Sequence, residues 1–236
     1  MTPSKPHQGF NMTAQRRLVC FHLLIAIAIG AQASSCQILG LIGYAKPDPT
    51  VGPAYKGLAG QSVAVMVWAD RASAIDWPSL QLDMTRGIQS RLKEAADVKK
   101  PPKELEGTKF AAAESAVRYQ RDHPEMEAEP ITTVAPRLNI TRLIYVEVQQ
   151  FSTRPEESVE LFRGTLVGNL KVIEIQNGKS KIAFQEDNIK VVFPKESPEQ
   201  GMPGLGDNQI YEKTLEYFST QVVNRFLTHI EPRDDH

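Results

Sequence analysis

Only two of the 236 residues are cysteine, Cys20 and Cys36, too few for a disulfide framework or a cysteine-rich zinc site. Charge of one sign is missing as well. The chain holds 27 Lys and Arg against 28 Asp and Glu, for a net charge of −1. That leaves no electrostatic footprint for a phosphate backbone, so nucleic acid is not an expected partner. Long hydrophobic runs are absent too. The longest, Leu18 to Ala31, has 14 residues and is interrupted by His22. At about 1.5 Å per residue it covers roughly 21 Å of helix, short of a ~30 Å hydrocarbon core. With 41% apolar and 23% charged residues, the remainder has globular composition, neither disordered nor collagen-like.

The start of the chain is unlike its average. Residues 1–35 hold Lys5, Arg16 and Arg17 and no acid. A basic segment, a short apolar run and then small residues form a secretory signal peptide. The run leads into Ala33-Ser34-Ser35-Cys36, which resembles the bacterial lipobox, with Ala33 where Leu is usual. That resemblance implies cleavage before Cys36 and acylation of its thiol, with palmitoyl-type chains as the anchor. Two alternatives stay open: cleavage near Ala33 with Cys36 as a free thiol, and an uncleaved membrane anchor. Gln37 follows the cysteine. In enteric-type lipoproteins an Asp there favours inner-membrane retention, so Gln37 points to the outer membrane. Without residues 1–35 the chain keeps 201 residues, 24 basic and 28 acidic, so the expected mature protein is mildly acidic and free of thiols. The domain reading is therefore a lipoprotein signal peptide over 1–35, a flexible tether over 36–60 rich in Gly and Pro, and an α/β domain over 61–236.

Within that domain Ser62 to Ala69 is apolar on both faces, which predicts a central strand covered on both sides. A helix follows, with Asp76 as its expected N-cap, Pro78 in its first turn and Leu80, Met84, Ile88, Leu92 and Ala95 as its buried stripe. Pro101-Pro102 closes it. Phe110 to Arg121 is helix-compatible, and Ile131 to Leu138 predicts a short helix. Leu143 to Phe151 alternates: Ile144, Val146 and Val148 share one face, Glu147 and Gln149 the other. Glu160–Gln176 and Lys181–Phe193 read as strands joined at Asn177-Gly178, a hairpin signal. Asp207 or Asn208 caps a last helix with Tyr211, Leu215, Phe218, Val222 and Phe226 facing inward. The fold class expected is α/β (α+β): a single domain with a mixed sheet, its first strand central, an antiparallel strand set and helices packed on the sheet.

This order resembles the domain shared by the N-terminal region of TolB and the curli-secretion lipoprotein CsgG. A strand like Val63-Ala-Val-Met-Val67 precedes a helix ending in Ile88-x-x-x-Leu92. A short helix with Ala135 and Leu138 then leads into the strand at Leu143 to Val148, and a hairpin and a closing amphipathic helix complete the unit. The likeness covers roughly residues 61–230. It implies an envelope adaptor or accessory lipoprotein, without a chemistry of its own.

Residue patterns that carry chemistry are few. His123, His229 and His236 are not spaced from one another, or from Cys or Asp, as a metal site requires, so no metal site is expected. No G-x-S-x-G occurs, and Gly204-Leu-Gly206 is a loop rather than a phosphate cradle. The carboxylate pairs, Glu156-Glu157, Glu186-Asp187 and the Glu125/Glu127/Glu129 series, lie in polar or Pro-flanked stretches where solvation explains them. No catalytic residue and no cofactor is expected. The functional expectation is a non-enzymatic lipid-anchored envelope protein that docks or assembles with an envelope partner. A periplasmic ligand-binding protein or enzyme with a site on the sheet face, or an accessory part of a secretion complex, are the alternatives. Trp68 and Trp77 bracket the first strand–helix turn, where core or hinge packing is the default reading and a partner or ligand patch the alternative; the candidate patch residues are these two with Glu147, Gln149 and Asn169 on a polar sheet face.

Overall fold

The structure, a computed structural model, describes residues 48–156 and 158–231. Cys36, the signal segment and the first part of the expected tether lie outside the described residues, as does the tail 232–236.

One mixed sheet organises the unit that runs from Thr50 to Glu231. Its strands are β2 (Ser62–Ala69), β3 (Lys109–Phe110), β4 (Arg142–Ser152), β5 (Gly164–Gln176) and β6 (Lys179–Phe193), in the order β3-β2-β4-β5-β6. β2 runs parallel to β3 and β4, and β4, β5 and β6 are antiparallel in turn. The first long strand is thus internal, as its two apolar faces require, and Val63, Met66 and Val67 are wholly buried. Asn177 and Gly178 join β5 to β6 with φ of 51° and 73°, the left-handed pair that matches strand twist.

The faces of the sheet alternate along each strand. Val63, Val65 and Val67 of β2, Ile144, Val146 and Val148 of β4, and Leu166, Leu170 and Val172 of β5 form one face. Two long helices cover it, α2 (Leu80–Ala96) and α5 (Asp207–Asn224). Leu80, Met84, Ile88 and Leu92 of α2 and Leu215, Phe218 and Val222 of α5 are buried there at the spacing of one helical stripe. Gly168 lets the ring of Phe218 reach the strand: a Cβ at that position would stand 2.9 Å from Phe218 Cζ.

The opposite face carries shorter pieces: α3 (Ala113–Asp122), a 3-10 turn over Pro124–Ala128, α4 (Ile131–Val134) and a second 3-10 turn over Ala135–Leu138. They bury Ala64, Met66, Leu143, Tyr145, Ile173 and Ile175. The layout expected from the sequence, strand, helix, helical excursion, three antiparallel strands and helix, is present in that order.

Three local readings change. Asp76 is not an N-cap. Asp70 is, accepting from the Ala72 and Ser73 amides to start a separate short helix α1 (Arg71–Asp76), which Pro78 then keeps apart from α2. Asp207 is the first residue of α5 rather than its cap, because its carboxylate is drawn to Arg154 and Thr153.

The third change is at the expected tether, residues 36–60, where the part from Thr50 onward belongs to the compact unit. β1 (Thr50–Val51) pairs antiparallel with β7 (His229–Ile230). The Tyr55 amide donates to the Arg225 carbonyl, and Leu58 is buried. Gly and Pro exclude a long helix or strand in this stretch, but they do not exclude anchoring by two apolar side chains. A buried polar knot holds the segment. Arg142 Nε donates to Tyr55 Oη and the Gly57 carbonyl, both at 3.0 Å, and Tyr55 Oη donates to Glu174 Oε1 at 3.0 Å. Burial and the hydrogen bond to Glu174 push the Tyr55 phenol up to about 12.

Candidate functional site

Register, more than sequence distance, decides which polar residues meet on the open face. β2 and β4 pair Trp68 with Glu147, and β4 and β5 pair Glu147 with Asn169. The next row pairs Met66 with Tyr145 and Tyr145 with Lys171. Three of the five candidates, Trp68, Glu147 and Asn169, therefore share one row across three strands. Side chains two residues apart on a strand stand on the same face, so Tyr145 and Lys171 join them. Lys171 Nζ lies 3.1 and 3.0 Å from the two Glu147 oxygens.

The other two candidates fall elsewhere. Gln149 is the extra residue of a bulge, since Val148 pairs with Gly168 and Gln150 with Val167. Trp77 packs on the helix-covered face, stacked on Tyr211 at 5.0 Å and edge-on to Phe151 at 5.5 Å. Ile75 beside it is exposed. Asn169 is engaged within the sheet itself. Its Oδ1 accepts the backbone amide of Asn188 at 2.9 Å, where Asn188 takes φ of 58° at an irregularity of the β5–β6 ladder.

The row around Tyr145 forms the floor of a cleft of about 360 Å³, within the range of small-molecule sites. Trp68, Tyr145, Glu147 and Lys171 form the floor. Met126 and Glu127 of the first 3-10 turn and Ile131 of α4 form the wall, and Ile182 of β6 lies at the rim. Tyr145 is 7% exposed, yet its hydroxyl makes no hydrogen bond among the described residues. Burial first, and the nearby Glu147 and Glu127 charges second, push its phenol above the usual range. Trp68, Met126 and Glu127 also line a second cleft of about 360 Å³. There Gln120 Nε2 donates to the Val67 carbonyl at 2.8 Å, and Gln120 Oε1 is buried with no partner.

Tyr145, Lys171 and Gln120 were not among the residues singled out from the sequence, and Glu127 and Glu129, read there as solvated carboxylates, line the cleft. Tyr145 and Lys171 had a signal, because each stands two places from a candidate on its own strand. Gln120 had none, and the acidic series around Glu127 gave no direction, since both arrive from turns and helices that only packing brings to the sheet.

The catalytic inventory is short. His123 is half exposed, with Nδ1 3.0 Å from Glu125 Oε1 and its ring against Tyr119. His229 Nδ1 meets the Leu227 carbonyl. Among the described residues no hydroxyl is hydrogen-bonded to a histidine, and no group of three or more His, Cys, Asp or Glu could hold a metal ion. No helix among them is long and apolar enough to cross a membrane.

No protein-family profile and no curated protein sequence matches the chain. Solved structures with a similar outline include the PelC dodecamer from Paraburkholderia phytofirmans, 10% identical over 75% of this chain and 96% of that one, with a TM-score of 0.39. They also include the hypothetical protein CT253 from Chlamydia trachomatis, 13% identical over 70% and 96%, with a TM-score of 0.37. Lipoprotein GNA1162 from Neisseria meningitidis is 10% identical over 69% and 98%, with a TM-score of 0.40. At these identities and scores they are similar in outline and assign nothing to this chain.

Proposed function

We propose that this chain is a lipid-anchored cell-envelope protein whose α/β unit serves as a non-enzymatic docking or assembly module in the periplasm, on the outer membrane. The observation that carries the reading is the N-terminal sequence: Lys5, Arg16 and Arg17, then the apolar run Leu18–Ala31, then Ala33-Ser34-Ser35-Cys36. Acylation at Cys36 would bury about 0.8 kcal/mol per CH₂ in the membrane, and more than one chain anchors firmly. Because the compact unit begins at Thr50 rather than at residue 61, only residues 37–49 separate it from Cys36. Thirteen residues reach at most about 45 Å of chain when fully extended, which on this reading keeps the unit tethered at the membrane surface. Its partner on this reading is an envelope protein or ligand met at that surface.

The test is metabolic labelling with an alkyne fatty acid. The wild type is expected to be tagged and Cys36→Ala untagged. Equal tagging of the two would remove the anchor and with it the reading.

A further inference from the structure

We propose that the cleft over Tyr145 binds a small organic cation, an ammonium or guanidinium group carried on a short apolar stem. This deepens the recognition role proposed above and rests on it, and it names the chemistry recognised.

Four observations converge on that ligand. The first is an unfilled polar group: the Tyr145 hydroxyl faces a cleft, on a residue 7% exposed, with no hydrogen bond among the described residues. Its oxygen is open to the cleft, unlike the sealed unpartnered oxygens of Gln120, Thr214 and Ser219, so an N–H donor entering the cleft can reach it.

The second is charge. The lining holds three carboxylates, Glu127, Glu129 and Glu147, against one cation, Lys171. Glu147 is engaged by Lys171 and Glu129 by Arg137 at 2.6 Å. Glu127 makes no ion pair among the described residues. An incoming cation therefore meets a free carboxylate, whereas an anion would meet three and find the only ammonium already held.

The third is the apolar lining. The Trp68 ring, with Met126, Ile131 and Ile182, supplies an aromatic face and an aliphatic slot. A cation over an indole face is attracted by the ring quadrupole, and a short stem fills the slot. The fourth is Gln120 Oε1, a buried acceptor with no partner in the adjoining cleft that shares Trp68, Met126 and Glu127. Its orientation is fixed by the Nε2 bond to Val67. Glu127, Tyr145 Oη and Gln120 Oε1 can each accept a hydrogen, and the ligand that suits these three donates.

The test is isothermal titration of the full chain with agmatine, cadaverine and phenethylamine, with 1-pentanol and glutarate as neutral and anionic controls. Saturable one-to-one binding of the amines is expected, with neither control binding. Trp68→Ala should weaken binding by about tenfold, and Glu127→Gln and Tyr145→Phe by about threefold to tenfold. Asp83→Asn, on the helix-covered side, should leave it unchanged. Melting curves of Glu127→Gln and Tyr145→Phe matching wild type would show that the loss lies in the cleft. Blocked tripeptides bearing Lys or Arg distinguish the source of the cation: tighter binding of free amines assigns a soluble metabolite, tighter binding of peptides a partner's side chain, and either supports the cation site. Absence of saturable binding by any amine or peptide, equal binding of glutarate, or affinities unchanged in Glu127→Gln and Tyr145→Phe would overturn it. None of these readouts depends on Cys36, so a failure here is distinguishable from a failure of the anchor.

Discussion

The two faces of the central sheet are built from the same strands and differ in almost everything else. One is apolar from β2 to β6 and sealed by two long helices, with Phe218 and Phe226 fully buried. The other is covered by short pieces that leave Trp68, Glu147, Asn169 and Lys171 partly open, over a cleft with an unfilled hydroxyl at its floor. Close packing makes a dry face expensive to alter, while a partly open face keeps polar groups within a ligand's reach. The contrast puts the packing that holds the fold on the first face and, on the proposal made above, recognition on the second.

The largest effect should come from hollowing the sealed face. Phe218→Ala removes a ring packed against Gly168, and a loss of about 3–5 kcal/mol is expected in urea unfolding. A loss below about 1 kcal/mol would mean that the helices are not seated as described. Next in size is the polar knot that holds residues 50–60. Arg142→Ala leaves Tyr55 and Glu174 without their shared cation, at a cost of about 3 kcal/mol. It should also free residues 50–60, read out as new proteolytic cleavage there. An intact segment in the variant would separate the knot from the anchoring of β1.

The knot has a pH signature as well. The Tyr55 phenol is raised from 10.0 to about 12 in the folded state, so the folded chain binds that proton more tightly than the unfolded chain. Its contribution is fully present below pH 10 and is lost as pH rises through about 12. Glu174 works at the acid end. Its burial opposes ionisation, but hydrogen bonds from Tyr55 and Lys181 and the Arg142 and Lys181 charges outweigh it and hold its pKa below the usual carboxylate value. Its contribution is present above the unfolded pKa and falls away as pH drops through the folded one. Tyr55→Phe should flatten the alkaline limb of a stability–pH curve; an unchanged limb would assign that limb to Tyr145 and Tyr211, whose phenols are also raised.

Much of the sealed face was legible in the sequence. The stripe Leu80, Met84, Ile88 and Leu92 and the alternation Ile144, Val146 and Val148 each carry a period that only one structure satisfies. The open face was legible in part. Glu147 and Asn169 signalled a polar surface, and register then placed Trp68 in the same row. Trp77 was open between core packing and a patch, because an aromatic next to a turn can fold to either side, and the stack on Tyr211 decides for packing. Nor was the packing of residues 50–60. Gly and Pro spacing says what a segment cannot become, and the partners that hold it, Arg142, Glu174 and Arg225, are far away along the chain.

Two adjacent residues of β4 test the division of the sheet most directly. Val146 is fully buried on the helix-covered face, and Glu147 lines the cleft on the other. In urea unfolding Val146→Ala should lose about 2 kcal/mol, and Glu147→Gln, whose partner Lys171 can turn to solvent, under about 1 kcal/mol. Equal losses, or a larger loss at Glu147, would contradict the assignment of stability to one face and recognition to the other.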